Sequence, residues 1–88
     1  MPVNEDILVA AVTYLGGRDK VVSSREVKGW LDKCGITYNR PGRGGGHLEQ
    51  ADHDAARNLR LTRWEQINGR HMVGWSIPNC WRPAPLRI

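Results

Sequence analysis

The chain has 88 residues and a mass of 9.9 kDa, with 13 Lys and Arg against 9 Asp and Glu, a net charge of +4 and a pI near 9.6. That length predicts one domain with a small core, since a chain of this size buries only about 60–65% of its unfolded surface. The hydrophobic share, 40%, is too high for a disordered chain. The longest apolar run, Ile7 to Val12, is far short of the roughly 18 residues a transmembrane helix needs. Glu5 and Asp6 stand where a secretion signal would carry basic residues, so a cytoplasmic protein is expected. Cys34 and Cys80 lack the paired spacing of a zinc ribbon, and two cysteines are too few for a disulfide scaffold.

Charge is unevenly spread. Residues 1–36 carry five basic and five acidic side chains, whereas residues 37–88 carry eight arginines and four acids, and so the whole +4. Every basic residue of the second half is arginine, whose planar fork grips phosphates and base edges bidentately. Base-composition bias of the coding DNA would give the same preference.

In chain order, residues 4–15 read as a first helix. Ile7, Leu8, Ala11, Val12 and Leu15 recur on one face. Asn4 suits the N-cap, Glu5 and Asp6 suit the positive end of the helix dipole, and Gly16-Gly17 ends the helix. Lys20-Val21-Val22 could pair as a short strand. Ser23-Ser24-Arg25-Glu26 has the capping-box pattern, opening a second helix with Val27, Trp30, Leu31 and Cys34 on one face and Gly35 as its stop. Residues 37–46, rich in glycine and arginine, read as a loop. Residues 47–59 read as a third helix, with Leu48, Ala51, Ala55 and Leu59 as its apolar stripe.

The periodicity then changes to two. Leu61 to Ile67 and Arg70 to Ile77 flank Asn68-Gly69, a strong two-residue hairpin signal. An unbroken register places Thr62, Trp64, Val73, Trp75 and Ile77 on one face, toward the helices, and Arg63, Glu65, Ile67, Arg70 and Met72 on the other. Pro78 ends the second strand. Residues 79–88, with Pro83 and Pro85, read as an irregular tail in which Trp81 pins the start to the body.

The resulting α+β order, α-β-α-α-β-β over residues 1–78, resembles that of the winged helix-turn-helix family. The resemblance implies that the third helix is the recognition helix, that the hairpin is the wing, and that the short strand near Val21 and Val22 completes a three-stranded sheet. One departure stands out: about eleven residues separate the second and third helices, where three or four are usual.

Three surfaces follow as candidates for double-stranded DNA. On the third helix, Gln50, His53, Arg57 and Asn58 can bond base edges, with Arg60 beyond them, although Glu49, Asp52 and Asp54 make its first half acidic. On the wing, Arg63 and Arg70 share the outward face. In the loop, Arg40 and Arg43 can meet phosphates and Tyr38 can stack. An ordinary solvated surface accounts for each equally simply. The glycine run lacks the Gly-Lys-Ser/Thr ending of a P-loop. His47, His53 and His71 show no ligand spacing, and no catalytic constellation is evident, so no metal, cofactor or enzymatic activity is expected. The expected function is that of a small DNA-binding regulator or accessory factor of a phage, plasmid or bacterium, modest in affinity as a monomer and therefore dimeric or partnered. Four to six phosphate contacts predict a log–log salt slope of roughly −4 to −5. The alternative is a protein-interaction module, because a fold does not fix a function.

Overall fold

The computed structural model describes residues 1–40 and 46–78, and the expectations for Arg43, Cys80, Trp81 and the rest of the tail lie outside the described residues. The chain is α+β. The element order is α1 (Glu5–Tyr14), β1 (Val22–Ser23), α2 (Ser24–Lys33), α3 (His47–Arg57), β2 (Thr62–Ile67) and β3 (Arg70–Ser76). The three strands form one antiparallel sheet in the order β1-β3-β2.

Local chemistry explains most of the boundaries. The Ile7 N–H donates to Asn4 Oδ1 (2.9 Å), which caps α1. Gly16, at φ 101°, ends it, and the Gly17 N–H returns to the Val12 carbonyl (2.7 Å). At α2 both halves of the capping box form: Glu26 N–H donates to Ser23 Oγ (3.2 Å) and Ser23 N–H to Glu26 Oε2 (3.1 Å). Gly35, at φ 71°, closes α2, with the Ile36 N–H on the Leu31 carbonyl (2.9 Å). α3 starts after Gly46 with no side-chain cap.

The core is the meeting place of these elements. Leu8, Ala11 and Val12 of α1, Val27 and Leu31 of α2, and Ala51 and Ala55 of α3 are buried together with Val22, Leu61 and Trp75. Three expected core residues lie elsewhere. Leu59 is 80% exposed, because α3 stops at Arg57 and Leu59 takes the left-handed conformation (φ 58°) that turns the chain toward β2. Cys34 is the C-cap of α2 and is exposed. Trp64 is half-buried on the other side of the sheet from Trp75.

This last difference has one cause. At the turn the hairpin has the expected register, with Ile67 opposite Arg70 and Gln66 opposite His71. Between Trp64 and Gln66 it shifts, so that Glu65 alone opposes Met72 and Val73, and Arg63 rather than Thr62 stands across from Trp75. A shift of one residue exchanges the two faces of a strand. Leu61 and Arg63 therefore turn toward the helices, and the Trp64 indole N–H donates to Ser76 Oγ (3.0 Å) on the opposite face.

Segment 37–40 is less free than a plain loop. Thr37 forms a parallel bridge with Pro2, and Val3 N–H donates to its carbonyl (2.8 Å). The loop between α2 and α3 is thereby tied to the N-terminal residues before it reaches Gly46.

Candidate functional site

α3 presents Glu49, Gln50, His53 and Arg57 to solvent, while Ala51, Asp52 and Ala55 face inward. Of the three acids that make the first half of α3 acidic, Glu49, Asp52 and Asp54, Asp52 faces inward. Asp52 is 6% exposed. Its Oδ1 accepts from the buried Trp75 indole N–H (2.9 Å) and its Oδ2 from Arg63 Nε (2.8 Å). Arg63 also donates to Glu65 Oε2 (2.6 Å). Its guanidinium is held above its ordinary pKa by the hydrogen bond to Asp52, against the opposing effect of desolvation. Arg63 is thus not an outward wing cation. It is the tie between β2 and α3, and the expectation of a wing face carrying both Arg63 and Arg70 is corrected by the register shift.

Two other arginines are also neutralised. Arg57 pairs with Asp54 (2.8 Å), although its side chain remains 73% exposed. Arg60 pairs with Glu5 (3.0 Å) and Asp6 (2.5 Å), and Asn58 Nδ2 donates to both oxygens of Glu5 (2.9 and 3.0 Å). The hydrogen bonds to Asp6 and then Glu5 raise the Arg60 pKa. The C-terminal end of α3 is in this way clasped to the N-terminal end of α1.

The remaining expected contacts are scattered. Gln50 donates to Asp54 (3.0 Å). His53 is exposed on the outer face of α3. Arg70 is exposed beside the hairpin tip, where Asn68 (φ 55°) and Gly69 (φ 79°) make the turn. Arg40 is exposed and approaches Gly46 at the start of α3. Tyr38 is half-buried, with its hydroxyl on Asp32 Oδ2 (3.4 Å), so it packs back on α2. Partial desolvation, and then the Asp32 charge, hold its phenol above the ordinary tyrosine value. The structure brings Gln50, His53 and Arg57 onto one surface, sets Arg70 on the hairpin, and ties Asn58, Arg60 and Arg63 to carboxylates of the same chain.

Sequence reasoning passed over a second group of basic side chains. Arg25 and Lys28 on α2 and His71 on β3 line a common groove. The signal available in the sequence was the i, i+3 spacing of Arg25 and Lys28 on the polar face of the second helix.

Among the described residues, no group of three or more His, Cys, Asp or Glu side chains is placed to hold a metal ion, and no helix is long and apolar enough to cross a membrane. Neither a protein-family model, nor a curated protein, nor a solved structure matches the chain.

Proposed function

We propose that the chain is a winged helix-turn-helix domain that binds double-stranded DNA, with α3 as the reading helix and the β2–β3 hairpin as the wing. The observation that carries this reading is the arrangement of elements: α-β-α-α-β-β in sequence, with β1 laid beside β3 so that the sheet runs β1-β3-β2. That arrangement leaves the outer face of α3 and the hairpin tip unobstructed by the sheet. Gln50, His53 and Arg57 offer hydrogen bonds to base edges, and Arg70 offers a phosphate contact from the tip. A role as a small regulator or accessory factor, acting as a dimer or with a partner protein, follows from the modest affinity of one such domain.

Three of the six arginines expected to neutralise phosphates, Arg57, Arg60 and Arg63, are already paired with carboxylates. These pairs must break, or be replaced by other cations, before they contribute to the salt slope. The test is a fluorescence-anisotropy titration of a random duplex at several salt concentrations. The expected result is binding at about 50 mM salt, with an apparent affinity that falls steeply as salt rises. Arg70→Ala is expected to lower the slope by about one with little effect on Tm. Absence of binding at about 50 mM salt overturns the proposal.

A second reading, a protein-interaction module, is favoured by one specific feature. Tyr14 is 74% exposed and stacks at an angle on half-buried Trp30, with ring centroids 5.8 Å apart, on the α1–α2 face. Exposed aromatic pairs are common anchors of protein interfaces. Under this reading Tyr14→Ser abolishes capture of a partner while duplex binding is absent from the start.

A further inference from the structure

An open groove of about 660 Å³ runs between α2 and β3, lined by Arg25, Lys28, Asp32, His71 and Met72 among other residues. A second hollow of about 300 Å³ shares Ser24, Lys28 and Val73 with it and is also lined by Leu48, Glu49 and Asp52 of α3. Through those shared residues the groove adjoins a hollow at the start of the reading helix. Arg25 and Lys28 stand one turn apart on the same side of α2, and His71 enters from the strand next to Arg70. Neither Arg25 nor Lys28 forms an ion pair with a described residue, unlike Arg57, Arg60 and Arg63. Asp32 on the groove wall already accepts from the Tyr38 hydroxyl, and of the acids lining the adjoining hollow, Glu49 is exposed while Asp52 is held by Trp75 and Arg63. Lys28 is half-buried, a place where an unpaired ammonium gains most from an anion.

We infer that this groove is the track for the phosphodiester backbone: Arg25 and Lys28 neutralise phosphates of one strand, and His71 donates to the same strand from the hairpin. The inference rests on the DNA-binding reading above and goes beyond it, because it moves the phosphate contacts from the arginines of the second half of the chain to α2. Its two cations, a helical turn apart and without an ion-pair partner among the described residues, fit a polyanionic strand better than a single small anion.

The test compares two double variants of the full chain with wild type on the same duplex. Arg25→Gln with Lys28→Gln removes two charges from the groove while keeping long side-chain stems in place. Arg18→Gln with Lys33→Gln removes the same charge from positions that do not line it. At about 0.9 per phosphate, the groove pair is expected to lower the log–log salt slope by nearly two, and to weaken binding about 30-fold near 0.15 M salt when referred to 1 M. The control pair is expected to change the slope by less than one. If the groove double variant melts below the assay temperature, each single variant takes its place, with an expected loss of about one in slope. An unchanged slope in the groove variants, or an equal loss in the control pair, overturns the groove while leaving DNA binding intact. A wild-type chain that does not bind duplex at about 50 mM salt overturns both readings.

Discussion

Replacing Asp52 by alanine removes the carboxylate that joins α3 to the sheet, and its cost can be worked from three observations. The Trp75 side chain is 2% exposed, and its indole N–H donates to Asp52 Oδ1 at 2.9 Å. Without that acceptor a buried donor is left unsatisfied, at about 1–3 kcal/mol. The Arg63 side chain is 34% exposed, so its pair is screened and contributes about 0–1 kcal/mol. Asp52 itself is nearly dry, and removing it relieves a desolvation cost that offsets part of the loss. The net expectation is a destabilisation of about 2 kcal/mol, or roughly 8–16 °C in Tm for a domain of this size. Chemical denaturation followed by circular dichroism measures it. Asp52→Asn supplies the contrast. The amide oxygen can still accept from Trp75 while the ionic part is lost, so its cost is expected to be less than half that of alanine. If Asp52→Ala stays within about 0.5 kcal/mol of wild type, or if Asp52→Asn is the worse of the two, the claim that the indole bond fastens α3 is wrong.

Other perturbations separate local from tertiary causes. Ser23→Ala breaks the capping box of α2 and is expected to cost about 1 kcal/mol by denaturant titration. The Ser23 backbone N–H is the main reason the Glu26 carboxyl sits below its ordinary value of 4.5, with Lys20 adding to it. A carboxylate whose folded pKa is depressed stabilises the fold above its unfolded pKa, and that stabilisation is lost as pH falls through the lower, folded value. Glu26→Gln is therefore expected to flatten the fall in Tm below about pH 4.5, and an unaltered acid limb would remove Glu26 from the account. Gly74→Ala puts a methyl group 2.7 Å from the Val22 carbonyl and 2.6 Å from Ile67 Cδ1 in a buried strand, at a cost of about 1–3 kcal/mol. Gly29→Ala, in α2 with no atom within 4 Å of the added carbon, is expected to stabilise by up to about 1 kcal/mol. Equal effects of the two alanines on Tm would contradict the packing described. Glu5→Gln with Asp6→Asn frees Arg60 and raises the net charge by two. A gain of about one in salt slope is expected if the end of α3 reaches the duplex, and no gain places that end away from it.

The parts of the fold that were legible in the sequence are those written in short-range chemistry. Asn4, the Ser23/Glu26 pair, Gly35 and Asn68-Gly69 each act within a few residues of themselves, and each marks a boundary found in the structure. The hairpin register was legible as far as the turn could dictate it, through Gln66 and His71, and no farther. The irregularity at Glu65 is set by what the strands must cover: burying Leu61 and placing Arg63 against Asp52 requires the inward face of β2 to change, and no turn residue encodes that. Asp52 is an instructive miss. It lies four residues after Leu48 and three before Ala55, inside the apolar stripe, and a carboxylate in such a stripe calls for buried donors elsewhere. Arg63 and Trp75 are those donors, but they come from two different strands and only the fold brings them together.

The candidate site was the least legible part, because net charge does not say which cations are free. The second half of the chain carries the whole excess of positive charge, yet Arg57, Arg60 and Arg63 spend it on Asp54, on Glu5 and Asp6, and on Asp52 and Glu65. The first half, neutral by count, keeps Arg25 and Lys28 unpaired on α2. Pairing across the fold has thus engaged three arginines of the second half, leaves Arg40 and Arg70 there without an ion pair among the described residues, and leaves Arg25 and Lys28 unpaired on a helix whose sequence looks electrically ordinary. An ion already satisfied by a carboxylate gains little from a phosphate, since exchanging one anion for another leaves only the difference between them, whereas an unpaired cation gains the whole interaction. On that argument the strength of any polyanion contact follows the unpaired groups, and under the proposed DNA-binding reading α3 contributes discrimination through Gln50 and His53 rather than affinity.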